Sequence, residues 1–306
     1  MITKQMIEAL PTSSWTRADY DAHSALNQTR AKLLLVSPGH YLQNTLAPQK
    51  ETEALRIGKL THMFVLEPEL FTSSVICTPE DAPKKPTQKQ REAKKPKAET
   101  LEAIAWWDNF DQISAGKTVA DRDEYEQAVA CGKALAAELA HYGVTPIATE
   151  LSLTCTYSDV PLKAQLDFIT ADGWIEDLKT FNDYLTPKKV LSTVYSRGYH
   201  LQGAFYCLMF KQVFGFRPKG FRMRCVEKSA PNACQTFELS AELLAEGGVL
   251  VQQAIETYRA CTSFNSFPLY PKEVIQLKPW KSDAISHHLC LTLCAQSLLS
   301  LPCSVG

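Results

Sequence analysis

The sequence has no apolar run approaching the roughly 18 residues of a membrane-spanning helix. Its first 13 residues lack the apolar stretch of a secretory leader, so a cytoplasmic protein without a membrane partner is expected. Neither charge is in excess: 32 Lys and Arg stand against 33 Asp and Glu, a net charge of −1. The chain is therefore no polycation, and any surface for nucleic acid has to be locally positive. It has no Cys-x-x-Cys pair, although ten cysteines are scattered at Cys77, Cys131, Cys155, Cys207, Cys225, Cys234, Cys261, Cys290, Cys294 and Cys303. That spacing is not that of a small disulfide scaffold, and buried free thiols in a reducing compartment are expected. There is no internal repeat.

What is present is enough apolar material, 45% of 306 residues, for a sizeable core. Residues 1–30 are polar and mixed and read as a loosely attached leading segment. The stretch 31–41 should hold a short helix that stops before Ser37-Pro38. Helices are predicted over 51–67, 101–110 and 122–142. Between the first two lies a basic, proline-containing run, 84–97, with Lys84, Lys85, Lys89, Arg91, Lys94, Lys95 and Lys97. It is either a solvated, flexible linker or an arm on a phosphate backbone. From Thr145 the character changes. Strands are predicted over 147–157, 162–169 and 174–180, helices over 185–194 and 199–214, strands over 220–226 and 235–239, and a last helix over 241–260. In the strand over 220–226, Phe221, Met223 and Cys225 share one face. The order describes an α/β core, about 145–260, with a helical N-terminal elaboration inside one domain spanning 1–283. Residues 284–306 form an apolar, Cys- and Leu-rich tail of open role, with His287 and His288 near Cys290.

The chemistry concentrates in a hairpin. Leu166-Asp167-Phe168 is followed by the turn Ala171-Asp172-Gly173 and then by Glu176-Asp177-Leu178-Lys179. A three-residue loop with Gly in the left-handed position fits that turn. Pairing outward from Thr170 opposite Trp174 puts Asp167 opposite Asp177. Side chains alternate along a strand, so Asp177 and Lys179 share a face while Glu176 and Leu178 take the other. Two facing carboxylates repel unless a cation lies between them, and a divalent metal such as Mg²⁺ favours such oxygen ligands. A lysine beside that metal equips the hairpin for metal-assisted phosphodiester hydrolysis.

Further residues converge on it. His62 follows Gly58 by one helical turn, and Gly58 admits a close neighbour; His62 is either packed or a metal ligand. Glu150, at the start of a strand, is either solvated or a further carboxylate near the metal. Gln202 and Tyr206, one turn apart, form either a polar stripe or a grip on a phosphate. Lys188, Lys189, Arg197 and His200 form either a solvated face or the local positive surface that DNA needs.

Taken in order, Gly58-x-x-x-His62, Glu150, Asp167, Asp177-Leu178-Lys179 and Gln202-x-x-x-Tyr206 resemble the RecB-like branch of the PD-(D/E)XK nuclease superfamily. Ser37-Pro38-x-His40-Tyr41, Leu66-Glu67-Pro68, Tyr199-His200-Leu201-Gln202 and Leu277-Lys278-Pro279-Trp280 look like the exonuclease VIII (RecE) C-terminal nuclease type. Leu166 stands where the superfamily name implies Pro, and the second acid is Asp177, the choice of this branch. The resemblance implies a mixed central sheet flanked by helices. It implies Asp167, Asp177, His62 and the Leu178 carbonyl as metal ligands, with Glu150 near the metal or on a second one. Lys179 would orient the attacking water and stabilise the transition state, and Gln202 and Tyr206 would position the strand. The cofactor implied is Mg²⁺, with Mn²⁺ as an alternative. The activity implied is a processive exonuclease on double-stranded DNA ends, 5′ to 3′, with inversion at phosphorus. A ring-like homo-oligomer and a single-strand annealing partner in phage-type recombination are implied with it.

Three competing readings are an iron–sulfur member of the same branch, a DNA-binding recombination scaffold without catalysis, and a hydrolase of small substrates. Cys290, Cys294 and Cys303 lack a suitable partner at the front of the chain except Cys77, so no iron–sulfur cluster is expected. All the acids and the lysine are present, which disfavours the scaffold.

Overall fold

A computed structural model describes residues 1–47 and 51–276. The tail over 284–306 and Leu277-Lys278-Pro279-Trp280 lie outside the described residues. The N-terminal part runs through α1 (Lys4–Glu8), α2 (Arg17–Ala22), α3 (Gln28–Val36), α4 (Pro38–Leu46), α5 (Glu53–Leu66) and α6 (Pro68–Ser74). A parallel pair, β1 (Val75–Cys77) with β2 (Thr118–Ala120), brackets α7 (Gln88–Arg91) and α8 (Ala98–Ile113), and α9 (Arg122–His141) follows. Ser37 both ends α3 and caps α4, accepting a hydrogen bond from the His40 N–H, with Pro38 in the first helical position. The helix does stop before Ser-Pro, and a second one starts there.

The main sheet has five strands in the order β3 (Pro146–Tyr157), β4 (Val160–Thr170), β5 (Trp174–Phe181), β6 (Gly220–Glu227) and β7 (Cys234–Glu238). Neighbours are antiparallel except β5 and β6, which run parallel across the connection made by α10 (Pro187–Arg197) and α11 (Tyr199–Phe214). The long α12 (Ala241–Ser263) closes the described fold. This is the expected mixed sheet flanked by helices.

The sheet is covered on both faces. Ile175, Phe221, Met223 and Cys225 join the large core with Leu201, Phe205 and Met209 of α11 and Val251 and Ile255 of α12. Phe168, Leu178 and Val226 join a second core with Leu66 of α5 and Cys131, Leu135 and Leu139 of α9. The alternation along β5 therefore sorts its residues between two helical layers.

Residues 1–26 are not loosely attached. Ile2, Thr12, Tyr20, Ala25 and Leu26 are buried. The Ile2 N–H donates to the Ala171 carbonyl at 2.9 Å. Leu26 bridges β4 in parallel, donating to the Pro161 carbonyl and accepting from the Lys163 N–H, each at 2.9 Å. The buried Lys163 ammonium donates to the Tyr20 carbonyl and lies over the Tyr20 ring. Within the basic run, α7 packs on α8, with Arg91 paired to Asp108 at 2.6 Å and the Lys85 ammonium 4.6 Å from the Trp107 ring centre.

Candidate active site

The hairpin has the register that the alternation predicts. Phe168 pairs with Glu176 and Ile169 with Ile175. Gly173 closes the turn at φ 92°, donating its N–H to the Thr170 carbonyl at 2.9 Å. Beyond Phe168 and Glu176 the ladder stops. There β4 stays with β3 while β5 stays with β6. The sheet forks, and the candidate site lies in the fork.

Parting strands strand their inner backbone groups, which need other partners when buried. Side chains supply them here. The Leu178 N–H donates to Asp167 Oδ2 at 2.7 Å. The Leu178 carbonyl accepts from His62 Nε2 at 2.9 Å. A carbonyl can only accept, so Nε2 carries a proton, and Nδ1 is the nitrogen left to face a metal. That nitrogen faces Asp167, 3.4 Å from Oδ2. The carbonyl that the resemblance makes a metal ligand thus orients the histidine, in the manner of outer-shell partners in metal sites.

Glu150 stands opposite Asp167 on β3, between the pairs Thr149–Phe168 and Leu151–Leu166. Its backbone is left-handed, φ 47°. That conformation is costly for a residue with a side chain and marks a held position. His62, Glu150 and Asp167 each offer a ligand atom, all within 4.8 Å of one another. Burial raises the Glu150 pKa to about 8, Asp167 and Glu67 add to the rise, and Arg17 opposes it. Arg17, from the leading segment, also donates to Gln165 at 3.3 Å. Its place beside the site was not legible, because nothing local marks it.

Asp177 and Lys179 lie on the other face of β5 and are ion-paired. Asp177 is 1% exposed, and Gln202 Nε2 donates to its Oδ1 at 2.7 Å. Burial pushes the Asp177 pKa up to about 6; Lys179 opposes that and Asp167 reinforces it. Burial works against the Lys179 charge, but Asp177 and Asp167 hold its pKa above the ordinary range. Asp177 therefore borders the group of three potential ligands rather than belonging to it.

Other expected positions differ. Gln202 reaches Asp177, and Tyr206 is buried with its ring near Phe221, because α11 packs this side of itself onto the sheet. Neither touches an open surface. His200 is also buried, with Nδ1 against the Val194 carbonyl at 3.2 Å, so it adds nothing to a basic surface. Lys188, Lys189 and Arg197 are exposed on α10, Lys189 being paired with Asp183 at 2.5 Å. Gly58 admits no tight neighbour; a Cβ there would meet only Thr180 Oγ1, at 3.7 Å.

One imidazole and two carboxylates suit a divalent cation, and burial, reinforced by Asp167 and Glu67, leaves the Glu150 charge in need of one. Oxygen-rich ligation of this kind fits Mg²⁺ or Mn²⁺.

No curated protein matches the sequence significantly. A crystal structure from Eubacterium rectale, described provisionally as an exonuclease, is similar at a TM-score of 0.55 and 13% identity, covering 88% of this chain and 96% of that one. A phage-related exonuclease from Haemophilus somnus 129PT aligns at 13% identity over 73% of this chain and all of its own, 100%. Its TM-score of 0.32 is too low to establish a shared fold. The first likeness shows a common fold, while residues 27–277 match a family described as a PDDEXK-like domain of unknown function (DUF3799). Forked sheet, acidic cluster and sequence match agree, and the chain belongs to this PDDEXK-like family, within the PD-(D/E)XK nuclease superfamily that its ordered motifs resemble.

Proposed function

We propose that the protein is a metal-dependent exonuclease that hydrolyses phosphodiester bonds at double-stranded DNA ends. The observation that carries this reading is the gathering of His62, Glu150 and Asp167 in the sheet fork, directly beside the buried Asp177–Lys179 pair. A divalent cation bound there would polarise a phosphoryl oxygen and lower the pKa of water.

The chain's own residues do the rest. Lys179, held charged by Asp177 and Asp167, supplies positive charge where the phosphoryl oxygens gain negative charge. Gln202 fixes Asp177, and the Leu178 carbonyl fixes His62. Glu150, whose bare charge is disfavoured by burial, would gain its counter-charge from that cation and bind it as a carboxylate. The exposed Lys188, Lys189 and Arg197 offer backbone contacts to DNA. Attack from 5′ ends, a homo-oligomeric ring, and work beside a single-strand annealing protein in phage-type recombination belong to the same proposal, supported by the RecE-like motifs.

The test is digestion of a linear duplex, labelled at either 5′ end or internally, with and without Mg²⁺. Asp177→Ala and Lys179→Ala are run beside the wild type. Mg²⁺-dependent release of mononucleotides from 5′ ends, absent in both variants, is expected. Retained DNA binding without any cleavage by the wild type would instead support a non-catalytic recombination scaffold.

A further inference from the structure

One charged group beside the site has no role in the reaction above. Lys32 projects from α3 toward the junction of α10 and α11. Its stem lies against Gly198, the left-handed residue at that junction, where a Cβ would come within 3.2 Å of Lys32 Cε. Its ammonium is 5.6 Å from the centre of the Tyr199 ring. The Lys179 ammonium is 4.9 Å from the same ring centre. Two lysines thus share one aromatic ring, an arrangement whose cation–π attraction offsets only part of their mutual repulsion.

The two differ in their partners. Lys179 is paired with Asp177, whereas Lys32 has no hydrogen bond or ion pair to any described residue. The half-buried position costs the Lys32 charge its hydration, Lys179 adds repulsion, and the more distant Asp177 offsets part of it, leaving a pKa of about 7. A structural lysine is finished differently: Lys163, also buried, donates to the Tyr20 carbonyl and stacks over its ring. Lys32 lacks an anion, and the described protein groups facing it supply none that is free. The groups that act on its charge are Lys179 and Asp177 from β5, with the Tyr199 ring from α11 alongside.

We propose that Lys32, together with Lys179 and the face of Tyr199, forms an anion subsite for a nucleotide phosphate next to the one being cleaved. The proposal rests on the nuclease reading for the identity of the anion. An ammonium that meets a phosphate there regains a counter-charge, and the strand is held in register with the fork. Lys32 is a positioning residue in this account.

The test uses the full chain in EDTA, so that binding is read without cleavage. Binding of a fluorescent blunt duplex is measured by anisotropy across a salt series for the wild type, Lys32→Met and Lys32→Arg. Methionine keeps the stem against Gly198, and thermal melting confirms the fold. A lost phosphate contact lowers the slope of log K against log salt by roughly 0.9. Lys32→Met should show that drop and weaker binding, and Lys32→Arg should restore both. Loss of affinity at an unchanged slope would show a structural role and overturn the proposal, as would an unaltered Lys32→Met or a wild type that binds no duplex. A drop seen only on a terminally phosphorylated duplex assigns the subsite to a phosphate monoester, and one seen with either duplex assigns it to a diester. A slope change in a protein without nuclease activity would keep the subsite and reject the proposed function. Cleavage with an unaltered Lys32→Met would do the reverse.

Discussion

Strand β5 buries an acid–base pair on each of its faces, and the two are built to opposite ends. On one face Glu176 takes two hydrogen bonds from Arg224, at 2.6 and 3.0 Å, with the residues 1% and 3% exposed. Arg224 also donates to Thr236 at 2.9 Å on β7. With Arg222 also 3.8 Å from Glu176, this network ties three strands together. On the other face Asp177 is just as dry and Lys179 is mostly covered, its side chain 15% exposed, yet their charges reach past each other to Asp167. Burial alone therefore does not separate a structural pair from a working one. Neighbours do: Arg224, Arg222 and Thr236 complete Glu176's network and hold strands, while a pair biased by a further carboxylate stays polarised.

The sharpest way to break that comparison is to remove one member from each face. Asp177→Asn should cut Mg²⁺-dependent cleavage by at least about 10²–10³-fold, the scale of losing a transition-state charge partner. It should leave the thermal midpoint near wild type, because a neutral amide relieves the burial of a carboxylate. Arg224→Met should do the opposite. It strips Glu176 of both close donors and leaves it only Arg222, 3.8 Å away, at a cost of up to about 3–5 kcal/mol of stability in denaturant titrations. If Asp177→Asn unfolds the protein, or Arg224→Met melts like wild type, the distinction fails.

Substituting Gln202, which donates to Asp177, should act next most strongly. Gln202→Leu frees Asp177 to turn and should raise the Mg²⁺ concentration needed for half-maximal cleavage by about 10–100-fold. An unchanged metal titration would reduce Gln202 to packing.

Protons sharpen the contrast further. The folded pKa of Glu150, about 8, exceeds its ordinary 4.5, and that of Asp177, about 6, exceeds 3.8. The native state thus keeps protons that the unfolded chain releases. Below the unfolded values both states are protonated and stability is at its fullest. Stability is then lost as pH rises from about 4 to about 8. Melting in EDTA should show a midpoint falling from pH 5 to about 7, above which discharge of Lys32 opposes the fall, and Mg²⁺ should recover most at the alkaline end, where it need not displace protons. A midpoint that rises over that range in EDTA would contradict the crowded-carboxylate picture.

The smallest expected effect is at Gly58, in the helix above the site. Since a Cβ there meets only ordinary contact with Thr180, Gly58→Ala should stabilise by up to about 1 kcal/mol. Denaturant midpoints would read it, and a destabilised variant would mean that Gly58 is needed for close approach after all.

Legibility from the sequence followed the range of the signal. The hairpin register was readable because period-two alternation and an Ala-Asp-Gly turn are local. Helix α11 was bounded correctly because glycines stand at both of its ends, Gly198 and Gly215. The leading segment looked loose because Ile2, Thr12, Tyr20 and Leu26 are isolated contacts without a period. The β1–β2 pair joins positions some forty residues apart and leaves no short-range trace. Within the candidate site, residue identity was legible and partnership was not. Gln202 was singled out without its partner Asp177, because which side of α11 turns inward is settled by helix packing.

The Leu178 amide, in the fork, is protected by a carboxylate where a neighbouring strand would ordinarily protect it. Its hydrogen exchange consequently reports on Asp167 rather than on sheet opening. Any event that draws Asp167 away, a cation included, changes the exchange rate and the ¹⁵N resonance of this single backbone position, so the site carries its own spectroscopic gauge of occupancy.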